Sequence, residues 1–310
     1  MSKTEIINSK RQFDLKSKTF RDVYDYVKIY PDFIKVIKYN RPLVVSTVNL
    51  PDSGVGIEND EPDQKNTDDT LKKSINRTKT KISDYILCND FDMFATFTFD
   101  PKIVGEKSRY NFLYCANLLS EWLRVEQQNH QRKFGSKFRY LIVPEQHKDG
   151  AWHFHAVIGG YKSPTLTFTD LSNKWLTYAE RSKYSLKTRK FFTRYNLGRN
   201  ELQPIRSRER LASYIKKYIT KSLLELPGKK RYWSSRNLLK PTIMYNLFKY
   251  EKIPKIAEVF SNDYFTTYKL DYSIYPDLKI LPSLFPLNRS KTIPPDNPDY
   301  SKLVQSRLFS

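Results

Sequence analysis

Two of the four histidines, His153 and His155, stand one apolar residue apart. In a strand, side chains two apart point the same way, so both imidazoles share one face. Upstream, Glu145 ends a hydrophobic run over 138–145 that reads as the hairpin partner of a strand over 152–158. Whether the carboxylate joins the imidazoles depends on the turn between them. A two-residue Asp149-Gly150 turn sets Glu145 opposite Phe154, on the other face. An odd loop, such as Asp149-Gly150-Ala151 with a bulge, sets it opposite His155, and we expect the odd loop. Two neutral imidazoles and one carboxylate make a mixed nitrogen and oxygen site with open positions. Such a site suits Mg²⁺ or Mn²⁺ held together with a substrate phosphate. An isolated His-x-His is more often a polar, half-exposed strand face; Glu145 and the helix described next shift the balance toward chemistry.

That helix is expected over 206–226. Leu211, Ile215, Ile219 and Leu226 fall on one side, and Tyr214, Lys217, Tyr218 and Lys221 fall on an adjacent stripe at helical spacing. A free tyrosine, with a pKa near about 10, is a poor nucleophile. A nearby metal and a lysine favour its phenolate and neutralise charge on an attacked phosphate. The product is a covalent phosphotyrosine that conserves the energy of the cut bond. The chain holds 22 tyrosines, so such a stripe taken alone is more often packing than chemistry.

The elements that must position these groups can be read around them. Phe94-Ala95-Thr96-Phe97-Thr98-Phe99 alternates large apolar with small or hydroxyl side chains, the mark of a strand with two different faces, and Asp100-Pro101 ends it. An amphipathic helix is expected over 108–130, the hairpin over 138–158, a basic and mostly helical stretch over 168–195, and a short strand over 196–205. Helical spacing also marks 70–88, and a strand is expected over 42–50. Residues 51–69 read as an exposed linker. Residues 227–310 read as Pro-rich and loop-rich, with a short helix over 254–260. The order is that of a mixed α+β domain with an antiparallel core.

Composition points to the partner. Apolar residues make up 39% of the 310 and aromatics 15%, enough to bury a core. Lys and Arg number 54 against 33 Asp and Glu, a formal net charge of +21 and a pI of about 9.7. An excess of this size favours polyanions through counterion release. The two cysteines, Cys88 and Cys115, form no CxxC pair, which argues against a zinc site and fits a reducing compartment. No stretch approaches the ~20 apolar residues that span a bilayer. A soluble, cytoplasmic protein with no membrane partner is expected.

Together these segments resemble the initiator proteins of rolling-circle plasmids and small single-stranded DNA phages, which belong to the HUH superfamily. The hydrophobic first motif is similar to 94–101, the metal motif to His153-Phe154-His155, and the Tyr-x-x-Lys-Tyr motif to Tyr214-Ile215-Lys216-Lys217-Tyr218. The resemblance covers about residues 90–240. It implies an HUH endonuclease fold, a central antiparallel, RRM-like sheet flanked by helices, over 70–240. Residues 1–69 and 241–310 would be basic N- and C-terminal extensions.

The resemblance also implies roles. His153 and His155 would be metal ligands with Glu145 as the third, the ion being Mg²⁺ or Mn²⁺. Tyr214 would attack the scissile phosphate, leaving a 3′-OH primer and a 5′-phosphotyrosine. Lys217 would assist, and Tyr218 would serve a second cleavage. Lys216, Lys221, Arg231, Trp233 and Arg236 would contact DNA. The substrate would be single-stranded or hairpin origin DNA in a bacterial host. The sequence carries no Gly-xxxx-Gly-Lys-Ser/Thr motif, so unwinding would fall to a host helicase acting with a host DNA polymerase. Other readings are an HUH transposase, typically smaller, a relaxase, which usually carries a third histidine in this motif, or a non-catalytic origin-binding protein.

Overall fold

The structure, a computed structural model, describes residues 20–46, 64–162, 194–224, 231–249 and 252–284. The basic helical stretch expected over 168–195 lies almost wholly outside the described residues. In chain order the elements are β1 (Phe20–Ile29), β2 (Phe33–Ser46), α1 (Gln64–Cys88), β3 (Met93–Phe97), α2 (Pro101–Val104), α3 (Phe112–Phe134), β4 (Arg139–Gln146), β5 (Trp152–Gly159), β6 (Asn200–Pro204), α4 (Arg208–Leu224), β7 (Trp233–Ser234), β8 (Thr242–Tyr245), β9 (Glu258–Ser261), β10 (Phe265–Asp271) and α5 (Leu281–Leu284). They form two compact units, residues 63–239 and residues 1–62 with 240–310. Each is built on one antiparallel five-stranded sheet, an α+β architecture compatible with the expected HUH, RRM-like fold.

In the 63–239 unit the strand order is β6-β3-β5-β4-β7. Period-two alternation divides the side chains cleanly between two cores. Ala95, Phe97, Ile142, Phe154 and Ala156 pack on one face against Cys115, Leu119, Trp122 and Leu123 of α3. Leu141, Val143 and Val157 pack on the other against Ile82 and Ile86 of α1 and Leu211 and Ile215 of α4. Local capping agrees with the sequence: the Asp100 carboxylate accepts from the Lys102 N–H ahead of Pro101, and the Asn111 carbonyl accepts from the Tyr114 N–H to start α3. His153 and His155 are odd-numbered on β5, so they share the face that α4 covers.

The second unit departs from the sequence reading. Its sheet, β8-β1-β2-β10-β9, joins an N-terminal hairpin to strands from the C-terminal segment that had read as loop. The strand expected over 42–50 is the end of the longer β2. Over 254–260 there is a single 3₁₀ turn, Lys255–Ala257, and then β9. β8 and β9 are four residues each and are held by pairing with β1 and β10. A window that short carries little periodicity of its own.

The core of this unit is Val27, Ile29, Ile34, Val36, Met244, Phe248 and Leu270, and Asp25 is buried with no exposure. One Asp25 carboxylate oxygen accepts from the Phe248 N–H at 3.2 Å; the other has no hydrogen-bond partner. Burial pushes its pKa up to about 6, against the pull of the Phe248 N–H and the Lys38 ammonium. The folded value lies above the unfolded one, so ionisation opposes folding. Stability from this group is fully present below about pH 4 and is lost as pH rises through about 6, at a cost of about 3 kcal/mol. Asp25→Asn should flatten that part of the stability profile, read as the difference between wild-type and variant melting temperatures at pH 5 and pH 8. Equal pH slopes for the two proteins would contradict it.

Candidate active site

The hairpin turn decides whether a carboxylate meets the histidines. The His147 N–H donates to the Ala151 carbonyl at 2.8 Å, enclosing a three-residue loop, Lys148-Asp149-Gly150. Gly150 has φ +86°, a left-handed conformation that favours glycine, and the Asp149 carboxylate caps the Ala151 N–H at 3.0 Å. The loop is odd, as expected, but lies one residue earlier than Asp149-Gly150-Ala151. Glu145 therefore stands opposite His153, with Val143 opposite His155. This corrects the expected pairing of Glu145 with His155 and keeps all three side chains on one face. Glu145 reaches His155 along the diagonal, its Oε2 lying 2.7 Å from the His155 Nε2.

His155 is fixed from both sides. Across β3 its register partner is Thr96, whose hydroxyl lies 3.2 Å from Nδ1. With Nε2–H donating to the carboxylate, Nδ1 accepts from the Thr96 hydroxyl, which sets one tautomer and one ring plane. The Phe94 ring stacks on the His155 ring at 5.6 Å between centroids. Tyr214 of α4 meets the other end of this stack, edge-on to Phe94 at 5.7 Å. The helix tyrosine and the strand histidine are thus joined through a single phenylalanine. The Tyr214 side chain remains 44% exposed, so its hydroxyl is open to a large substrate while its ring is seated.

A third imidazole joins the group. His147, two residues beyond Glu145 on the same strand face, stacks its ring on His153 at 4.9 Å. Sequence reasoning passed over His147; the same period-two rule, carried past the strand end, would have found it. It passed over Phe94 as well, and it used Thr96 only as part of a motif. Burial holds the His153 pKa below its ordinary value, and the neighbouring His147 and His155 add to this. His153 is therefore neutral at neutral pH, the form a metal requires. The donor types fit a divalent ion. As placed, however, Glu145 is bonded to His155, and among the described residues no three His, Cys, Asp or Glu side chains are grouped to hold a metal.

The other expected residues are more scattered. Lys216 is half-buried on α4. Lys217, Tyr218 and Lys221 ride on the same helix, but their side chains lie outside the described residues. The Arg231 guanidinium donates to the Ser74 hydroxyl of α1 at 2.7 Å. Trp233 is not brought to the histidine face: opposite Ile142 on β4, it packs on Phe112 and Phe154 in the α3 core. Arg236, exposed beyond β7, does not join the histidine cluster.

Fold and site define an α+β domain in which a helix tyrosine faces paired strand histidines. Residues 92–223 match a family model for replication-associated proteins of the ORF2 type. The match runs from the residue before β3 to the last turn of α4, taking in Phe94, Thr96, Glu145, His147, His153, His155 and Tyr214. The resemblance to rolling-circle initiators holds over that segment, which is that of a replication-associated protein. No curated protein and no solved structure matches the chain. Among the described residues, no helix is long and apolar enough to cross a membrane.

Proposed function

We infer that this chain initiates rolling-circle replication by nicking and rejoining one strand of origin DNA. The observation that carries the reading is the continuous stack Tyr214–Phe94–His155, closed by Glu145. In the cut, the Tyr214 oxygen forms a bond to the scissile phosphorus, the bond from phosphorus to the 3′ oxygen breaks, and the phenolic proton leaves to solvent. The departing oxygen takes up a proton to become the 3′-OH primer, and the 5′ phosphate stays on the tyrosine. Attack by a 3′-OH on that phosphotyrosine reverses the step and joins strands. Glu145, His153 and His155 would hold Mg²⁺ or Mn²⁺, which when bound supplies positive charge beside the attacked phosphate. Thr96 and Phe94 keep His155 oriented, and Lys217 and Tyr218 are placed by the helix to assist or to perform a second cleavage.

A non-catalytic origin-binding role is favoured by one observation, that Glu145 and His155 are engaged with each other. Cleavage polarity separates the two. With single-stranded origin DNA and Mn²⁺, the nicking reading expects a fragment whose 3′ end a polymerase extends and a complementary fragment that migrates with protein. Intact DNA at saturating protein, or a 3′ end that cannot be extended, would contradict it. A host helicase and polymerase complete the cycle in this reading.

The +21 charge sets the affinity. Non-specific binding to single-stranded DNA should fall by a factor on the order of a hundred between about 50 and 200 mM salt. Anisotropy titrations that give a flat dependence would refute the electrostatic account.

A further inference from the structure

The opposite face of the same sheet carries a second opening. Between α3 and the β4–β7 edge lies a cavity of about 390 Å³, within the range of about 300–1,000 Å³ that small-ligand sites occupy. Three cations line it, Arg124 and Lys137 at the two ends of the α3 wall and Arg236 beyond β7, and none of its described lining residues is acidic. The Glu121 carboxylate outside the lining accepts from the Arg124 Nε at 2.9 Å, an exposed pair that contributes little and leaves the guanidinium free to re-pair. Tyr140 supplies an aromatic wall, fixed where the Ser235 hydroxyl accepts from the Tyr140 N–H at 3.1 Å. Burial pushes the Tyr140 pKa up while the Arg236 charge pulls it down, which places that charge close to the ring.

Two amides complete the wall. Gln127, 7% exposed, donates from its side-chain nitrogen to the Phe138 carbonyl at 2.7 Å, and its side-chain oxygen is buried with no partner. The side-chain oxygen of Asn237 is in the same condition. Such acceptors cost about 1–3 kcal/mol each until an N–H reaches them. A bare phosphate brings no N–H. A base with an exocyclic amine does, and it also offers a planar face to Tyr140. We propose that this cleft is a second nucleotide site, which holds one amino-bearing nucleotide with its phosphate on Arg124, Lys137 and Arg236 and its base against Tyr140, Gln127 and Asn237. Tyr140 is even-numbered on β4 and Glu145 is odd, so the cleft and the tyrosine–histidine cluster occupy opposite faces of the sheet. The nucleotide is therefore held apart from any strand at Tyr214. It can be free or a unit of single-stranded DNA; the recognising chemistry is the same.

Calorimetric titration of the full chain with deoxyadenosine monophosphate, thymidine monophosphate and inorganic phosphate tests this without reference to cleavage. The adenine nucleotide should bind about tenfold tighter than the other two. The double variant Arg124→Ala with Lys137→Ala removes two exposed charges and no core contact, and it should weaken that binding by at least about tenfold. Asn237→Leu should erase the preference for adenine over thymine. Equal binding of all three ligands, or a double variant that binds as the wild type does, would overturn the proposal. A competition arm assigns the source. If an oligo-deoxyadenylate displaces the mononucleotide from the wild type, the occupant is a strand; if it does not, the cleft takes free nucleotide.

Discussion

Tyr214→Phe should abolish the covalent protein–DNA adduct while leaving the fold and DNA affinity in place. The substitution removes only the hydroxyl. The phenylalanine ring keeps the edge contact to Phe94 at 5.7 Å, and the position is 44% exposed, so stability should change by less than about 0.5 kcal/mol. Loss of the nucleophile should lower single-turnover nicking by at least about a thousandfold, because no other group on this face replaces an attacking oxygen. Tyr218→Phe should retain first-strand nicking and lose at most the later joining step. Nicking by Tyr214→Phe at a rate near wild type would sink the assignment.

The second large effect belongs to His155. Its ring lies between the Thr96 hydroxyl, the Glu145 carboxylate and the Phe94 ring. His155→Ala removes the imidazole and leaves Glu145, 20% exposed, without that partner. Cleavage that depends on a divalent ion should fall by about a thousandfold, equivalent to several kcal/mol of charge stabilisation. DNA affinity measured without metal should be unchanged, since the basic surface is untouched. A positioning role for Thr96 adds a finer test. Thr96→Val keeps the branched shape and removes the hydroxyl; it should weaken metal affinity by about 10–100-fold, and Thr96→Ser should restore it. Metal titrations indistinguishable between wild type and His155→Ala would contradict the ligand assignment.

What the sequence made legible follows from period and locality. Alternation along 94–99 and 152–158 announces β3 and β5 with the right faces, and the spacing of Leu211 and Ile215 announces α4 and its buried side. The histidine pair could be read because two residues on one strand need no knowledge of a partner. Glu145 required the turn. Its parity was readable from the Lys-Asp-Gly loop, but its register was not, because a loop starting at Lys148 and one starting at Asp149 are both odd. The Phe94 bridge between Tyr214 and His155 was invisible, since it joins three elements through side-chain packing alone. The second sheet was missed for a related reason. β8 and β9 gain their form from partners elsewhere in the chain, so residues 227–310 read as loop until the N-terminal hairpin is set beside them.

The most direct measurement is the site of covalent attachment. The protein is incubated with a labelled single-stranded origin oligonucleotide and Mn²⁺, digested, and the phosphotyrosine peptide sequenced by mass spectrometry. The tyrosine–histidine stack predicts DNA joined through a 5′ phosphate to Tyr214. An adduct on Tyr218 alone would reverse the order of the two tyrosines, and cleavage with no adduct on either would contradict the catalytic role of this helix.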